Sequence, residues 1–154
     1  HRQVLLPLGT EERMLSDLLL YRPVGSELPE TRLRAAAVMY GSPQVPRDRT
    51  LGVYWEAYGL VPGEELQISV HLEGVDGGVV SRALGALGIG TRERGTVTWS
   101  ETVKGPGPFL NAITLDLAAV EPGRYDLVVQ VQADGRNPLV RSHRFEVVES
   151  KGAP

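Results

Sequence analysis

Apolar and polar side chains alternate along two runs near the middle of the chain. In 51–58 the odd positions are mostly apolar and include Trp55, and in 65–72 the even positions are apolar. A β-strand sends successive side chains to opposite faces, so each run predicts a strand with one buried face. Between the runs, Pro62-Gly63 favours a chain reversal, because proline fixes φ and glycine accepts a positive φ. The stretch Leu51–Leu72 therefore predicts a β-hairpin with Trp55 in the core.

Similar runs, separated by glycine- and proline-rich clusters, recur along the chain. They predict further strands at 15–21, 79–84, 97–102, 109–117, 124–132 and 139–148. For 15–21 a helix is the alternative, because the run is short and leucine favours helix. The last two are joined by Asp134-Gly135 and Asn137-Pro138, which predicts a second hairpin. In the strand 109–117, Asn111 is the odd polar member of an apolar parity.

Pro29–Ala37 is the stretch with the highest helix propensity. Pro29 suits the first position of a helix, and the alanines that end the segment favour helix. Gly41-Ser42-Pro43 ends the segment, and 43–48 predicts a loop punctuated by prolines. About eight strands with short turns and one short helix predict an all-β fold, an antiparallel β-sandwich.

Length and composition limit the domain organisation and the function classes. The chain has 154 residues, which predicts one sandwich domain over 15–149, an N-terminal arm over 1–14 and a flexible tail over 150–154. It has no cysteine, which excludes disulfides and thiol chemistry. The net charge is −3 with both signs interspersed, so we expect no nucleic-acid partner. No apolar run is long enough to predict a transmembrane segment.

The segment Leu115–Val131 resembles the late strands of bacterial immunoglobulin-like domains found in secreted and envelope-associated proteins. An apolar strand is followed by Pro122-Gly123 and then by Tyr125, which opens the next strand. The resemblance implies an immunoglobulin-like β-sandwich in which Tyr125 is a corner tyrosine bonded to upstream backbone. It also implies that Trp55 is the tryptophan packed between the sheets.

The resemblance implies a periplasmic or otherwise extracytoplasmic location. The chain also resembles, without any motif that carries the likeness, an extrinsic periplasmic subunit of a bacterial photosynthetic reaction centre–antenna complex. Such a subunit would associate peripherally with a membrane complex.

Candidate catalytic and cofactor motifs are weak. His71 and Glu73 share one face of a strand, but a metal site needs three or four ligands, so a surface pair is expected. The glycines of 85–90 follow the order GxxGxG, which is not a dinucleotide-binding pattern. No GxSxG motif is present. We therefore expect no catalytic residue, no metal, no cofactor and no enzymatic activity.

Three sets of residues are candidates for binding a partner protein. The apolar arm contributes one set, the face of the first central strand opposite Trp55 contributes two tyrosines, and the loop 91–94 contributes two arginines. These residues are Val4, Leu5, Leu6, Leu8, Tyr54, Tyr58, Arg92 and Arg94. The two tyrosines either meet a second core layer, such as the alanine-rich helix, or form a partner surface. We expect the structural core to contain Trp55, Trp99, Tyr125 and Phe145.

These patterns favour a non-catalytic accessory or scaffolding subunit that acts by protein–protein contacts in a bacterial envelope or membrane-associated complex. The alternative is a β-sandwich module that binds carbohydrate or peptide.

Overall fold

A computed structural model describes residues 13–25, 27–75, 85–86, 91–93 and 96–150. In chain order the elements of this part are β1 (Met14–Leu15), β2 (Leu19–Tyr21), α1 (Arg32–Ala37), β3 (Gln44–Pro46), β4 (Thr50–Tyr58), β5 (Glu65–Gly74), β6 (Gly85–Ala86), β7 (Thr91–Glu93), β8 (Thr96–Thr102), β9 (Phe109–Asp116), β10 (Gly123–Ala133) and β11 (Leu139–Val148). The predicted all-β sandwich with one short helix is confirmed. The predicted strand 79–84 lies outside the described residues, as do most of the arm and the last four residues of the tail. Within the predicted arm 1–14, Met14 already belongs to β1.

The strands form two sheets that face each other across the main core. In sheet A, β4 pairs with β1 and β2 on one side and with β9 on the other, and β9 pairs with β6. Sheet B has the order β3-β11-β10-β5-β8-β7. All described pairings are antiparallel except β3 with β11, which is parallel. The prediction that 43–48 is only a loop is therefore wrong. Pro46 is tolerated because β3 is the edge strand of sheet B.

The predicted central hairpin Leu51–Leu72 is also wrong. β4 pairs with β9 in sheet A, whereas β5 pairs with β10 and β8 in sheet B. The segment 59–64 thus crosses from one sheet to the other, with Gly59 and Gly63 at positive φ. The alternation shows only that each strand has one buried face. Two strands that face each other from different sheets have such a face, as two paired strands do.

The second predicted hairpin is confirmed. β10 and β11 pair antiparallel from Gly123↔Val147 to Val131↔Leu139. Gly135 in the connection has φ 70°, a conformation that glycine adopts without steric cost.

The predicted strand 15–21 is split into β1 and β2 by a bulge. Leu15 pairs with Ala57 and Leu19 with Tyr54. Between these two pairs, the β1–β2 side therefore has one residue more than β4. At the bulge, the Ser16 hydroxyl accepts a hydrogen bond from the Glu56 amide at 2.9 Å. The extra residue changes the parity, which places Leu18 and Leu20 in the main core and turns Tyr21 to the other face of the sheet.

A second, smaller core covers the outer face of sheet A. Tyr21, Tyr54 and Ala35 of α1 are buried together there, apart from the main core. α1 begins three residues after Pro29, because the Thr31 hydroxyl caps it by accepting a hydrogen bond from the Arg34 amide. The segment 27–38, called the outer layer below, therefore lies over sheet A as a third layer.

Candidate functional site

The outer face of β4 does not present both predicted tyrosines to a partner. Tyr54 has no exposed surface, because Tyr21 of β2 and Ala35 of α1 are buried against it. The prediction that Tyr54 binds a partner is therefore wrong, and the alternative of a second core layer is correct. Tyr58 is half-buried at the end of β4.

Tyr54 and Tyr58 both donate hydrogen bonds to the carboxylate of Glu56. The Tyr54 hydroxyl reaches Oε1 at 2.7 Å and the Tyr58 hydroxyl reaches Oε2. Burial first, and then the bond to Glu56, raises the pKa of Tyr54, while the bond to Glu56 is the main cause that raises the pKa of Tyr58. Both phenols are thus held in the protonated form, as hydrogen-bond donors within the fold.

Of the other predicted partner-binding residues, the structure describes Arg92 alone. Val4, Leu5, Leu6, Leu8 and Arg94 lie outside the described residues. Arg92 belongs to β7, where it stands opposite Val97 of β8. It is therefore on the edge strand of sheet B that lies farthest from β3.

The four aromatic residues expected in the core lie between the sheets. Trp55 is fully buried and Phe145 is nearly so, while Trp99 is half-buried and packs against Trp55 with ring centroids 6.2 Å apart. The Tyr125 hydroxyl donates to the Glu121 carbonyl at 2.6 Å. That bond is the backbone contact that the corner-tyrosine interpretation predicts.

A cavity lies where the outer layer meets the edge of the sandwich. It has a volume of about 810 Å³ and is lined by 27–30, Arg34 of α1, Glu101 of β8 and 110–112 of β9. A second cavity of about 610 Å³ adjoins it and shares Glu101 and Leu110. We call the two cavities together the β9 groove. It brings together residues from both sheets and from the outer layer.

The β9 groove contains a buried polar group without a partner. Asn111 is 7% exposed, and its Nδ2 has no hydrogen-bond partner among the described residues. Its cross-strand neighbour on β4 is Trp55, whose Nε1 is likewise buried without a partner there. A buried donor that lacks an acceptor costs about 1–3 kcal/mol. Asn111 lines the first cavity, so its amide favours an incoming hydrogen-bond acceptor.

The rim of the β9 groove combines exposed leucines with an excess of carboxylates. Leu28 is 51% exposed and Leu110 is 42% exposed. Glu27, Glu30 and Glu101 line the first cavity, and Arg34 is the one cationic residue among its described lining residues. Glu101 is held in place by Trp99, whose Nε1 donates to its carboxylate at 3.2 Å. The groove therefore suits an apolar group next to a cation.

Sequence reasoning did not identify the β9 groove, although one signal for it was present. Asn111 stands out as the polar member of an inward parity, which marks a polar group inside the sandwich. The rim residues 27–30 gave no such signal, because their position depends on how the outer layer folds over sheet A.

Histidines and carboxylates do not assemble a metal centre in the described part of the chain. No group of three or more potential ligands is present there. His71 pairs with Glu73 at 2.9 Å, as a surface pair on sheet B, and His143 is exposed. Among the described residues, no helix has the length and apolar character needed to cross a membrane.

No family model and no curated protein matches the chain. Among solved structures, the chain is similar to a family 123 glycoside hydrolase from Clostridium perfringens that was studied for glycolipid glycan hydrolysis. The TM-score is 0.40 and the sequence identity is 10%, over 88% of this chain and 28% of that chain. The chain thus spans less than a third of the length of that enzyme.

Proposed function

We propose that this chain is a non-catalytic accessory or scaffolding subunit that acts by contact with other proteins. The observation that carries the proposal is the exposure of Leu33 on α1, which is 82% accessible to solvent. α1 turns Ala35 towards sheet A and leaves Leu33 on the outside of the molecule. Covering a leucine side chain stabilises a complex by about 1.5–3 kcal/mol.

Leu33 belongs to a wider concentration of exposed apolar side chains. Eight large hydrophobic residues are exposed in the described part of the chain, and five of them lie in 24–39 or line the β9 groove beside it. These five are Val24, Leu28, Leu33, Met39 and Leu110. Leu28 and Leu110 line one cavity and Met39 lines another. Exposed apolar side chains that cluster on a surface are typical of a protein-interaction site.

The setting of the proposal comes from the sequence resemblance. The corner tyrosine and the strand pattern of Leu115–Val131 resemble bacterial immunoglobulin-like domains of envelope proteins. We therefore place the subunit outside the cytoplasm, in an envelope or membrane-associated complex, of which a photosynthetic reaction-centre complex is one kind.

The test replaces Leu33 with glutamate in the full chain expressed in its native host. We expect Leu33→Glu to fold as the parent does, because the side chain makes no buried contact, and to release the chain from its complex. The matched control is Val140→Glu, which changes an exposed valine on β11, in the opposite sheet. Complexes are isolated under native conditions and their mass is measured by analytical ultracentrifugation. A complex of unchanged mass with Leu33→Glu would refute the proposal.

A further inference from the structure

We propose that the β9 groove binds a peptide segment of the partner protein in which a lysine or arginine stands next to a leucine-sized apolar residue. This inference rests on the proposed function, because it takes a protein as the partner and names the chemistry of the segment that docks. Three properties of the groove carry it: an unpaired buried amide, two exposed leucines and an excess of negative charge.

The unpaired amide indicates that the ligand supplies a hydrogen-bond acceptor. Asn111 Nδ2 is buried at the groove and has no partner in the described part of the chain. Every other inward-facing residue of β9 is apolar. An asparagine at such a position weakens the core unless its amide is paired. A peptide backbone offers a carbonyl oxygen at every residue, which makes it a suitable acceptor for this donor.

The leucines indicate an apolar side chain beside that acceptor. Leu28 and Leu110 come from the outer layer and from β9, and both line the first cavity. Each is about half exposed, so a side chain placed between them would cover apolar surface on two sides.

The charges indicate that the segment is cationic. Among the described lining residues of the first cavity, three carboxylates stand against one guanidinium, and Glu27 and Glu30 are exposed at its rim. Complementary charge raises the association rate and selects against acidic competitors. Lys104 lines the second cavity, so the excess of negative charge is confined to the end of the groove near α1.

The size of the groove favours a peptide over a single small cation. The two cavities share Glu101 and Leu110, so the site continues around the edge of the sandwich from the outer layer towards the loop 103–108. A segment of several residues can place a cation at the α1 end while its backbone passes Asn111.

The experiment titrates the ¹⁵N-labelled full chain with three synthetic peptides and follows nitrogen–proton correlation spectra. The peptides are acetylated and amidated GSLKLSG, its acidic counterpart GSLELSG, and GSSKSSG, which lacks the leucines. The spectra show the Asn111 side-chain amide and the Trp55 indole directly. We expect GSLKLSG to shift both signals with a Kd between about 10 μM and 1 mM, and the other two peptides to bind at least about tenfold more weakly.

Two variants separate a binding role for the groove from a structural one. Asn111→Leu removes the unpaired amide, so we expect equal or higher stability together with a loss of peptide binding of about tenfold or more. Glu27→Gln combined with Glu30→Gln should weaken binding of GSLKLSG and leave stability unchanged. The control is Glu73→Gln, which removes an exposed carboxylate from sheet B without touching the groove.

The outcomes also separate this inference from the proposed function. Absence of shifts at saturating GSLKLSG, or equal shifts with GSLELSG, would overturn the assignment of a cationic apolar peptide. If the native complex survives Asn111→Leu with the two glutamine changes but dissociates with Leu33→Glu, the groove inference fails and the contact proposal stands. If neither set of changes affects the complex, both fail.

Discussion

Gly52 and Tyr21 form a close packing contact between two strands of sheet A. The two residues are cross-strand partners of β4 and β2. A Cβ added at Gly52 would lie 2.3 Å from the Tyr21 ring, well inside van der Waals contact. Tyr21 is 1% exposed, so its ring has no room to move away. The absence of a side chain at position 52 is what allows the second core layer to close on the sheet.

Gly52→Ala should therefore destabilise the protein by overpacking. Inserting a methyl group into a packed core costs about 1–3 kcal/mol, and we expect the upper part of that range because the obstructing atoms belong to a buried ring. Urea unfolding followed by tryptophan fluorescence measures the change.

The control for this prediction is Gly41→Ala. No atom lies within 4 Å of a Cβ at position 41, and the same alanine there should be neutral within about 0.5 kcal/mol. Equal stability of the two variants would show that the Tyr21 ring accommodates the methyl group.

Residue-level features differ in how far the sequence predicts them. Burial of Trp55 follows from its place among the inward positions of an alternating strand. The sequence also shows directly that Asn111 is a polar residue among the apolar inward positions of its strand. The need for glycine at position 52 depends on a tyrosine about thirty positions away in the chain, and no local pattern reports that contact. The burial of Tyr54 depends in the same way on the helix that covers it.

At the scale of elements, the sequence predicts strands better than it predicts their partners. Alternation places β4 and β5 correctly, but it does not distinguish strands that pair from strands that face each other. The six-residue connection 59–64 crosses between the sheets, whereas the connection between β10 and β11 closes a hairpin. The bulge at Ser16 is equally hidden, because an extra residue in one strand is visible only against the partner strand.

The connection between the sheets is fixed by a charged contact of Glu64. Its carboxylate accepts a hydrogen bond from Arg13 at 2.5 Å and another from the Val61 amide at 2.7 Å. The bond from Arg13 joins the crossing segment 59–64 to the residue that precedes β1. The bond from Val61 lies within the crossing segment. The bond from Arg13 is the largest of the effects that lower the pKa of Glu64.

Glu64→Gln should therefore lower the stability by an amount that depends on pH. A carboxyl group with a lowered folded-state pKa stabilises the protein above its ordinary pKa of about 4.3, and this contribution is lost as the pH falls through the lowered value. We expect the variant to be about 1–2 kcal/mol less stable at pH 7. The difference should shrink as the pH is lowered below 4.3. Urea midpoints of both proteins across this pH range measure the effect.

The neighbouring Glu65→Gln serves as the control, because Glu65 is exposed and opens β5 without such a contact. A constant difference between the parent and Glu64→Gln at every pH would show that the loss comes from packing and not from the charge.

At the scale of the whole molecule, the outer layer over sheet A gives the two faces of the sandwich different roles. The outer face of sheet B carries hydrophilic strand positions such as Gln67, Ser69 and Gln130. The outer face of sheet A is covered by 27–38, which buries Tyr54 beneath it and presents Leu28 and Leu33 to solvent. The layer that completes the fold on this side therefore also supplies the apolar surface that the proposed function uses.

The pairing pattern of sheet B predicts where the molecule unfolds last. Tyr125–Val131 of β10 pairs with β11 on one side and with β5 on the other. Among the described strands, β3 pairs with β11 alone, over three residues, at the edge of the same sheet. Strands bonded on both sides and packed on a core open only in global unfolding, whereas short edge strands open locally at lower cost.

Hydrogen exchange should therefore rank the amides of the two strands far apart. We expect the amides of Tyr125–Val131 to exchange only through global unfolding, with protection of about 5–15 kcal/mol. The amides of Gln44 and Val45 should exchange through local opening and be protected by several kcal/mol less. Exchange measured by NMR at the residue level tests this, because both strands belong to one sheet and experience the same global stability. Equal protection in β3 and β10 would mean that the edge strand opens only together with the whole sandwich, so the parallel pair would be a full part of the cooperative core.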